Sequence, residues 1–230
     1  MQVIILAAGM GSRLGNKDLP KPLTPLANGE SLLGFQLHNL ASFISLDDVL
    51  IVVGYCKEKI MEKFPYLLYV YNPDYAKENT SKSLLRALHK VDQDVVWING
   101  DVVFHPSVLK ALLDFDKTAM VVNQGRVGEE EVKYRSDSNG KILEVSKQVA
   151  NPQGEALGLN LVKAADLKLF KEELAHCEKN DYFEKGIEKA LKKGMSVWSV
   201  PVDSNMCTEV DFPEDLTRAN TMIKSWISTR

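Results

Sequence analysis

Short apolar runs rich in β-branched residues, each followed by a helical pattern, fill the first half of this chain, and that alternation admits few folds. Val3 to Leu6 is the first run; Asp48 to Val53, Leu67 to Tyr71, Val95 to Ile98 and Ala119 to Val122 follow. Helical spans lie between them at about Ser31 to Phe43, Lys57 to Lys63, Ser81 to Lys90 and Pro106 to Phe115. Continuous apolar strands are buried on both faces, and helical crossovers between them require parallel pairing. The expected fold class is α/β: a Rossmann-like, doubly wound, mixed but mostly parallel sheet flanked by helices.

The pattern changes after residue 125. Glu131 to Arg135, a turn at Asp137 to Gly140, and Lys141 to Lys147 read as a β-hairpin added to that sheet. A strand near Ala156 to Val162, helices near Ala164 to Glu173 and Tyr182 to Lys193, and a strand from Ser196 to Val202 complete the series. A last helix starts at Pro213, a residue suited to the first helical position, with Glu214 and Asp215 complementing the helix dipole. No repeat or Pro/Ser-rich linker divides the 230 residues. We therefore expect one domain over residues 1–230, with 1–125 as core and 126–230 as its elaboration.

Composition excludes several classes. Lys plus Arg number 28 against 31 for Asp plus Glu, so no basic field exists to hold a nucleic acid. Three widely spaced cysteines, without C-x-x-C, give neither a disulfide framework nor a zinc ribbon, and a cytoplasmic location is expected. The run from Val3 to Ala8 is too short for a signal segment, and nothing approaches the roughly 20 apolar residues of a membrane span. His38, His89, His105 and His176 lack metal-ligand spacing.

Val3 to Gly15 reads V-I-I-L-A-A-G-M-G-S-R-L-G, a buried strand running directly into small residues. Such a loop, at the carboxyl end of a parallel strand, is where α/β proteins bind ligands. Leu6, Ala7, Ala8, Gly9 and Gly11 leave room for backbone N–H groups to approach phosphates. A dinucleotide fingerprint would need glycine where Leu14 stands, and a Walker A loop would need Gly-Lys-Ser/Thr. The loop instead carries Arg13, with Lys21 close behind in P-K-P-L. Two fixed cations beside a glycine loop suit a substrate that gains negative charge during reaction.

L-A-A-G-M-G-S-R-L followed by P-K-P-L resembles the hallmark of the sugar-phosphate nucleotidyltransferases, and the resemblance runs over nearly the whole chain. It implies that Leu6, Ala7, Ala8, Gly9 and Gly11, with Gly100, hold the nucleotide, and that Arg13 and Lys21 act on the triphosphate and the incoming phosphate. It also assigns a metal ion, Mg²⁺, to Asp101 in W-I-N-G-D and to Asp211 in T-E-V-D. Read as residues alone, Asp101 suits a turn and Asp211 a helix cap, and Glu209 is a substitute ligand.

Asn72 to Leu84 resembles the N-x-x-Y-x-x-x-N-x-x-x-S-L pattern of the cytidylyltransferases acting on phosphocholine, aminoalkylphosphonates and inositol phosphates. That resemblance makes CTP the favoured nucleotide; Asn79, Thr80, Ser81 and Ser83 offer donors and acceptors for a pyrimidine edge, with Asn79, Ser81 and Ser83 expected on the base, and the same residues also suit a loop and a helix cap. Lys147, Glu155 and Gly158 fall where the family contacts its acceptor, which places the hairpin on the acceptor side. The partners implied are CTP and a small phosphorylated or phosphonate acceptor, with no nucleic acid and no membrane, and a homodimer is one admissible assembly. Tyr134, Trp198, Tyr182, Phe183 and Glu184 are walls for a cationic acceptor, left unassigned because aromatics at regular spacing also build cores. A sugar-1-phosphate nucleotidyltransferase using UTP, dTTP or GTP, and a nucleotide-binding regulatory module without turnover, are the alternatives.

Overall fold

A computed structural model describes residues 1–14, 19–125 and 127–228; Gly15, the end of the glycine-rich segment, lies outside them. Strand β1 (Gln2–Ala7) pairs in parallel with both β2 (Val49–Val53) and β4 (Val95–Asn99), and β3 (Leu68–Tyr71) extends the sheet beyond β2. The chain thus runs outward from β1 to β3 and returns past β1 to β4, leaving a crevice at the carboxyl ends of β1 and β4. Beyond β4, strand β9 (Gly154–Val162) runs antiparallel between β4 and β6 (Ala119–Val122). At that edge β10 (Trp198–Pro201) lies parallel to β6. The mixed, mostly parallel character expected from the alternation is observed.

Successive side chains of a strand point to opposite faces, and β1 serves both. Val3, Ile5 and Ala7 enter one apolar layer with α1 (Leu32–Ala41), α2 (Lys57–Lys63) and α4 (Pro106–Leu113). Ile4, Leu6 and Ala8 enter the other, with α3 (Thr80–Leu88), α5 (Ala164–Ala175) and α6 (Phe183–Lys192). A third cluster packs α7 (Pro213–Ser228) on Leu32 and Phe35 through Ala219 and Ile223. Among the described residues no helix is long and apolar enough to cross a membrane.

The expected hairpin forms from β7 (Lys133–Ser136) and β8 (Ile142–Ser146), and β7 also pairs with the start of β9. Its turn is built by Asp137, whose Oδ1 accepts from the Asn139 and Lys141 N–H groups. Two strands have no counterpart in the sequence reading: β5 (Val102–Phe104) and β11 (Cys207–Glu209) form a separate antiparallel pair. Three residues each are too few for a readable period.

Candidate active site

The glycine loop leaving β1 and the short turn Lys21–Leu23 fold against each other. Gly11 has φ +59°, and a Cβ there would lie 2.5 Å from Lys21 Cβ, so glycine is what lets the lysine stem cross the loop. Backbone bonds fix the turn: Leu23 N–H donates to Pro20 O at 2.8 Å and Thr24 N–H to Lys21 O at 3.0 Å. On the next strand Gly100 N–H donates to Leu6 O at 2.9 Å, and a Cβ on Gly100 would meet that oxygen at 2.6 Å. Buried Gln36 on α1 holds the same bend, its Nε2 donating at 2.8 Å to both Asn99 O and Val102 O.

Asp101 leads directly into β5, and β11 pairs with β5 so that Glu209 faces Val102. One further bond, Val210 N–H to Asp101 O at 3.0 Å, sets Asp211 beside Asp101. Between the two carboxylates sits Lys21, its Nζ 2.7 Å from Asp101 Oδ2 and 2.5 Å from Asp211 Oδ1. Burial pulls the ammonium pKa down, but Asp101 and Asp211 outweigh it and the net shift is upward. Arg13 approaches from solvent, Nη1 3.7 Å from Asp211 Oδ2 and its guanidinium 5.7 Å from the Phe212 ring centre. Asp211 does not cap α7 with its side chain: Asp215 Oδ2 accepts from the Asp211 and Phe212 N–H groups. Asp101 Oδ1 is buried without a hydrogen-bond partner.

The hairpin side of the crevice is acidic. Lys147 Nζ lies 3.4 Å from Glu130 Oε2 and 5.0 Å from the Tyr182 ring centre. Glu155 Oε1 accepts from Asn123 Nδ2 at 2.6 Å, and burial pushes its carboxyl pKa up. Glu184, at the start of α6, is buried with Oε2 unpartnered; desolvation pushes its pKa up to about 7, against the opposing pull of Lys147. Glu209 is held well above the ordinary carboxylate range by burial and by Asp101, Glu184 and Asp211. Gly158, at φ +69°, makes room for it: a Cβ there would meet Asn99 Nδ2 at 2.8 Å and Glu209 Oε1 at 3.0 Å.

Leu6, Ala7, Gly9, Gly11, Arg13, Lys21, Gly100, Asp101, Lys147, Glu155 and Asp211 therefore line one cleft, of about 460 Å³. Ala8, Asn79, Ser81, Ser83 and Gly158 do not line it. Ala8 packs in the core and accepts from Tyr55 N–H. Asn79 caps α3 by accepting from Thr80 N–H, Ser83 Oγ accepts from Asn72 Nδ2 at 3.0 Å, and Ser81 is buried. Of the unassigned walls, Tyr182, Phe183 and Glu184 do line the cleft, whereas Tyr134 is a core residue donating to Asn123 O. Thr80, of the polar stretch read for the base, does line it, as does Asn99, which the sequence left unassigned; Thr80 Oγ1 accepts from Phe183 N–H at 3.0 Å and so ties α3 to the start of α6.

A cleft of this make-up, at the switch between β1 and β4, invites comparison with known proteins. The family model for the MobA-like NTP transferase domain matches residues 3–150. The chain belongs to this family. Among curated relatives, the CMP-5'-(3-aminopropyl)phosphonate synthase of Streptomyces rubellomurinus is 30% identical over 96% of this chain and 38% of that protein. The bifunctional protein GlmU of Methanocaldococcus jannaschii is 28% identical over 100% of this chain and 56% of that protein. This chain thus spans about two-fifths to just over half the length of these two relatives. The 2-aminoethylphosphonate cytidylyltransferase of Lancefieldella rimae is 26% identical, with 81% of this chain and 75% of that protein covered. In fold, the chain matches the CTP:phosphocholine cytidylyltransferase LicC of Streptococcus pneumoniae with a TM-score of 0.80 at 19% identity, covering 96% of this chain and 98% of that one.

Proposed function

We propose that this chain transfers CMP from CTP to a small phosphonate or phosphate acceptor that carries an amine, releasing pyrophosphate. The observation that carries this reading is the meeting of Lys21, Asp101, Asp211 and Arg13 at the mouth of β1, against a loop whose glycines leave backbone N–H groups free to approach phosphates. An acceptor oxyanion would attack the α-phosphorus. The bond from that phosphorus to the bridging oxygen would break, and its electron pair would leave with pyrophosphate. No general base is needed, because the attacking oxygen is already an anion at neutral pH. Arg13 and Lys21 would neutralise the charge that builds on the equatorial and leaving oxygens.

Asp101 and Asp211 supply the hard oxygen donors that Mg²⁺ prefers, and the buried, unpartnered Asp101 Oδ1 leaves one donor unused. Among the described residues no group of three or more ligating side chains forms, so phosphate oxygens and water would complete the shell. When bound, Mg²⁺ would offset the phosphate charge that the two lysine and arginine cations leave. At the far end, Lys147 suits the acceptor's phosphonate, and Glu184 with Tyr182 suits an ammonium, by charge and by cation–π contact. Relatives named for aminopropylphosphonate and aminoethylphosphonate support an acceptor of that kind.

The test is pyrophosphate release with each common nucleoside triphosphate against phosphocholine, 2-aminoethylphosphonate, inositol phosphate and hexose 1-phosphates. The largest rate is expected from CTP, Mg²⁺ and an amine-bearing acceptor. Release with hexose 1-phosphates alone would move the chain to the sugar branch, and none in any pairing would leave only a nucleotide-binding module.

A further inference from the structure

Lys21 occupies an unexpected place for a residue that would work on phosphates. Its ammonium lies between Asp101 Oδ2 and Asp211 Oδ1, at 2.7 and 2.5 Å, and its side chain is only 12% exposed. Mg²⁺ bridging those same two oxygens would lie about 2.0–2.1 Å from each, which puts the ion in the space the ammonium fills. Ammonium and metal cannot bridge that oxygen pair together. We propose that Lys21 acts as an internal counter-ion that closes the carboxylate pair in the free protein, and that the divalent cation enters as a metal–nucleotide complex. The inference rests on the reading of Asp101 and Asp211 given above.

The triphosphate is what makes the exchange favourable. Without it, a lysine leaving the carboxylates would give up two charge-assisted hydrogen bonds and gain only water. With it, phosphate oxygens receive the ammonium while the metal takes the carboxylates, so charge is matched on both sides. Backbone bonds hold the turn that carries Lys21, so the movement is a rotation of its outer side-chain bonds and not a shift of the turn. Arg13 does not replace it. The guanidinium is half exposed, 3.7 Å from Asp211 and stacked toward Phe212. Two carboxylates with one ammonium carry one net negative charge; removing the ammonium leaves two, a better site for a bare divalent ion.

The proposal makes an inverted prediction: a variant that loses turnover gains metal affinity. Mn²⁺ would be titrated into nucleotide-free wild type, Lys21→Met, Lys21→Arg and the double variant Lys21→Met with Asp101→Asn, with free Mn²⁺ counted by its paramagnetic resonance. We expect Lys21→Met to bind Mn²⁺ about tenfold more tightly than wild type, as for a site otherwise about nine-tenths closed. Lys21→Arg should stay near wild type, and the double variant should lose the gain. A non-hydrolysable CTP analogue should tighten Mn²⁺ binding to wild type far more than to Lys21→Met. Circular dichroism checks folding, and Lys21→Gln carries the same comparison if Lys21→Met does not fold. Equal or weaker binding by Lys21→Met, in a preparation whose wild type transfers CMP with Mn²⁺, overturns the counter-ion role and leaves the function standing. Wild type without any metal-dependent transfer overturns the function and the counter-ion role with it.

Discussion

At the β1 end of the cleft a ligand meets backbone and paired charges: Gly9, Gly11 and Gly100, with Arg13 and Lys21 set against Asp101 and Asp211. At the hairpin end it is largely carboxylates, Glu130, Glu131, Glu155 and Glu184, with Lys147 set among them. The first end solves a problem common to phosphate-binding proteins, in which N–H groups and fixed cations meet a polyanion. The second holds Glu184 buried and unpartnered, an arrangement that costs folding stability unless a ligand or a proton compensates it. On the function proposed above, general chemistry would sit on one side of the cleft and discrimination on the other.

If that division is right, mutations at the two ends should fail differently. Asp101→Asn, at the phosphate end, should lower pyrophosphate release about 10²–10³-fold for every acceptor while the protein still folds, as circular dichroism would check. Wild-type turnover in that variant would remove Asp101 from the chemistry. Glu184→Gln should instead raise KM about tenfold for an amine-bearing acceptor, with little change for an otherwise matched acceptor lacking the amine. Equal changes for both acceptors would deny Glu184 its role in discrimination.

The smallest effect is on stability. Because burial raises the Glu184 pKa from near 4.5 to about 7, the folded chain binds this proton more tightly than the unfolded chain does. The contribution is full below about pH 4.5, falls as pH rises through about 7, and then levels off. Melting curves across that range should show Glu184→Gln gaining on wild type by a few degrees as pH increases. A constant difference between the two would mean that Glu184 ionises freely in the folded protein.

Legibility in the sequence follows the same division. The parallel strands and their helices could be read because each spans at least four residues and carries an unbroken apolar run, as in Val49 to Val53. The phosphate end was legible for a related reason: its donors are consecutive backbone groups, so Gly9, Gly11, Arg13 and Lys21 must lie close along the chain. Lys147 and Glu155 were reached by resemblance and line the cleft. Asn79 and Ser83 were equally plausible by pattern, yet their bonds go to the helix cap and to Asn72. A polar side chain near a helix start looks the same in sequence whether it faces a ligand or its own backbone.

By itself the sequence determined the alternating architecture, the strand that ends in the glycine loop, and the pair of cations beside it. All of these depend on neighbours along the chain, through side-chain periodicity and backbone conformation. Only the tertiary structure decided that Asp211 stands next to Asp101, because that contact is made by the short β5–β11 ladder and the bond from Val210 to Asp101. The tertiary structure also decided that Glu184 is buried toward the cleft and that Lys21 bridges the two aspartates. Burial and the meeting of charges far apart in sequence are properties of packing, and no local pattern of residues encodes them.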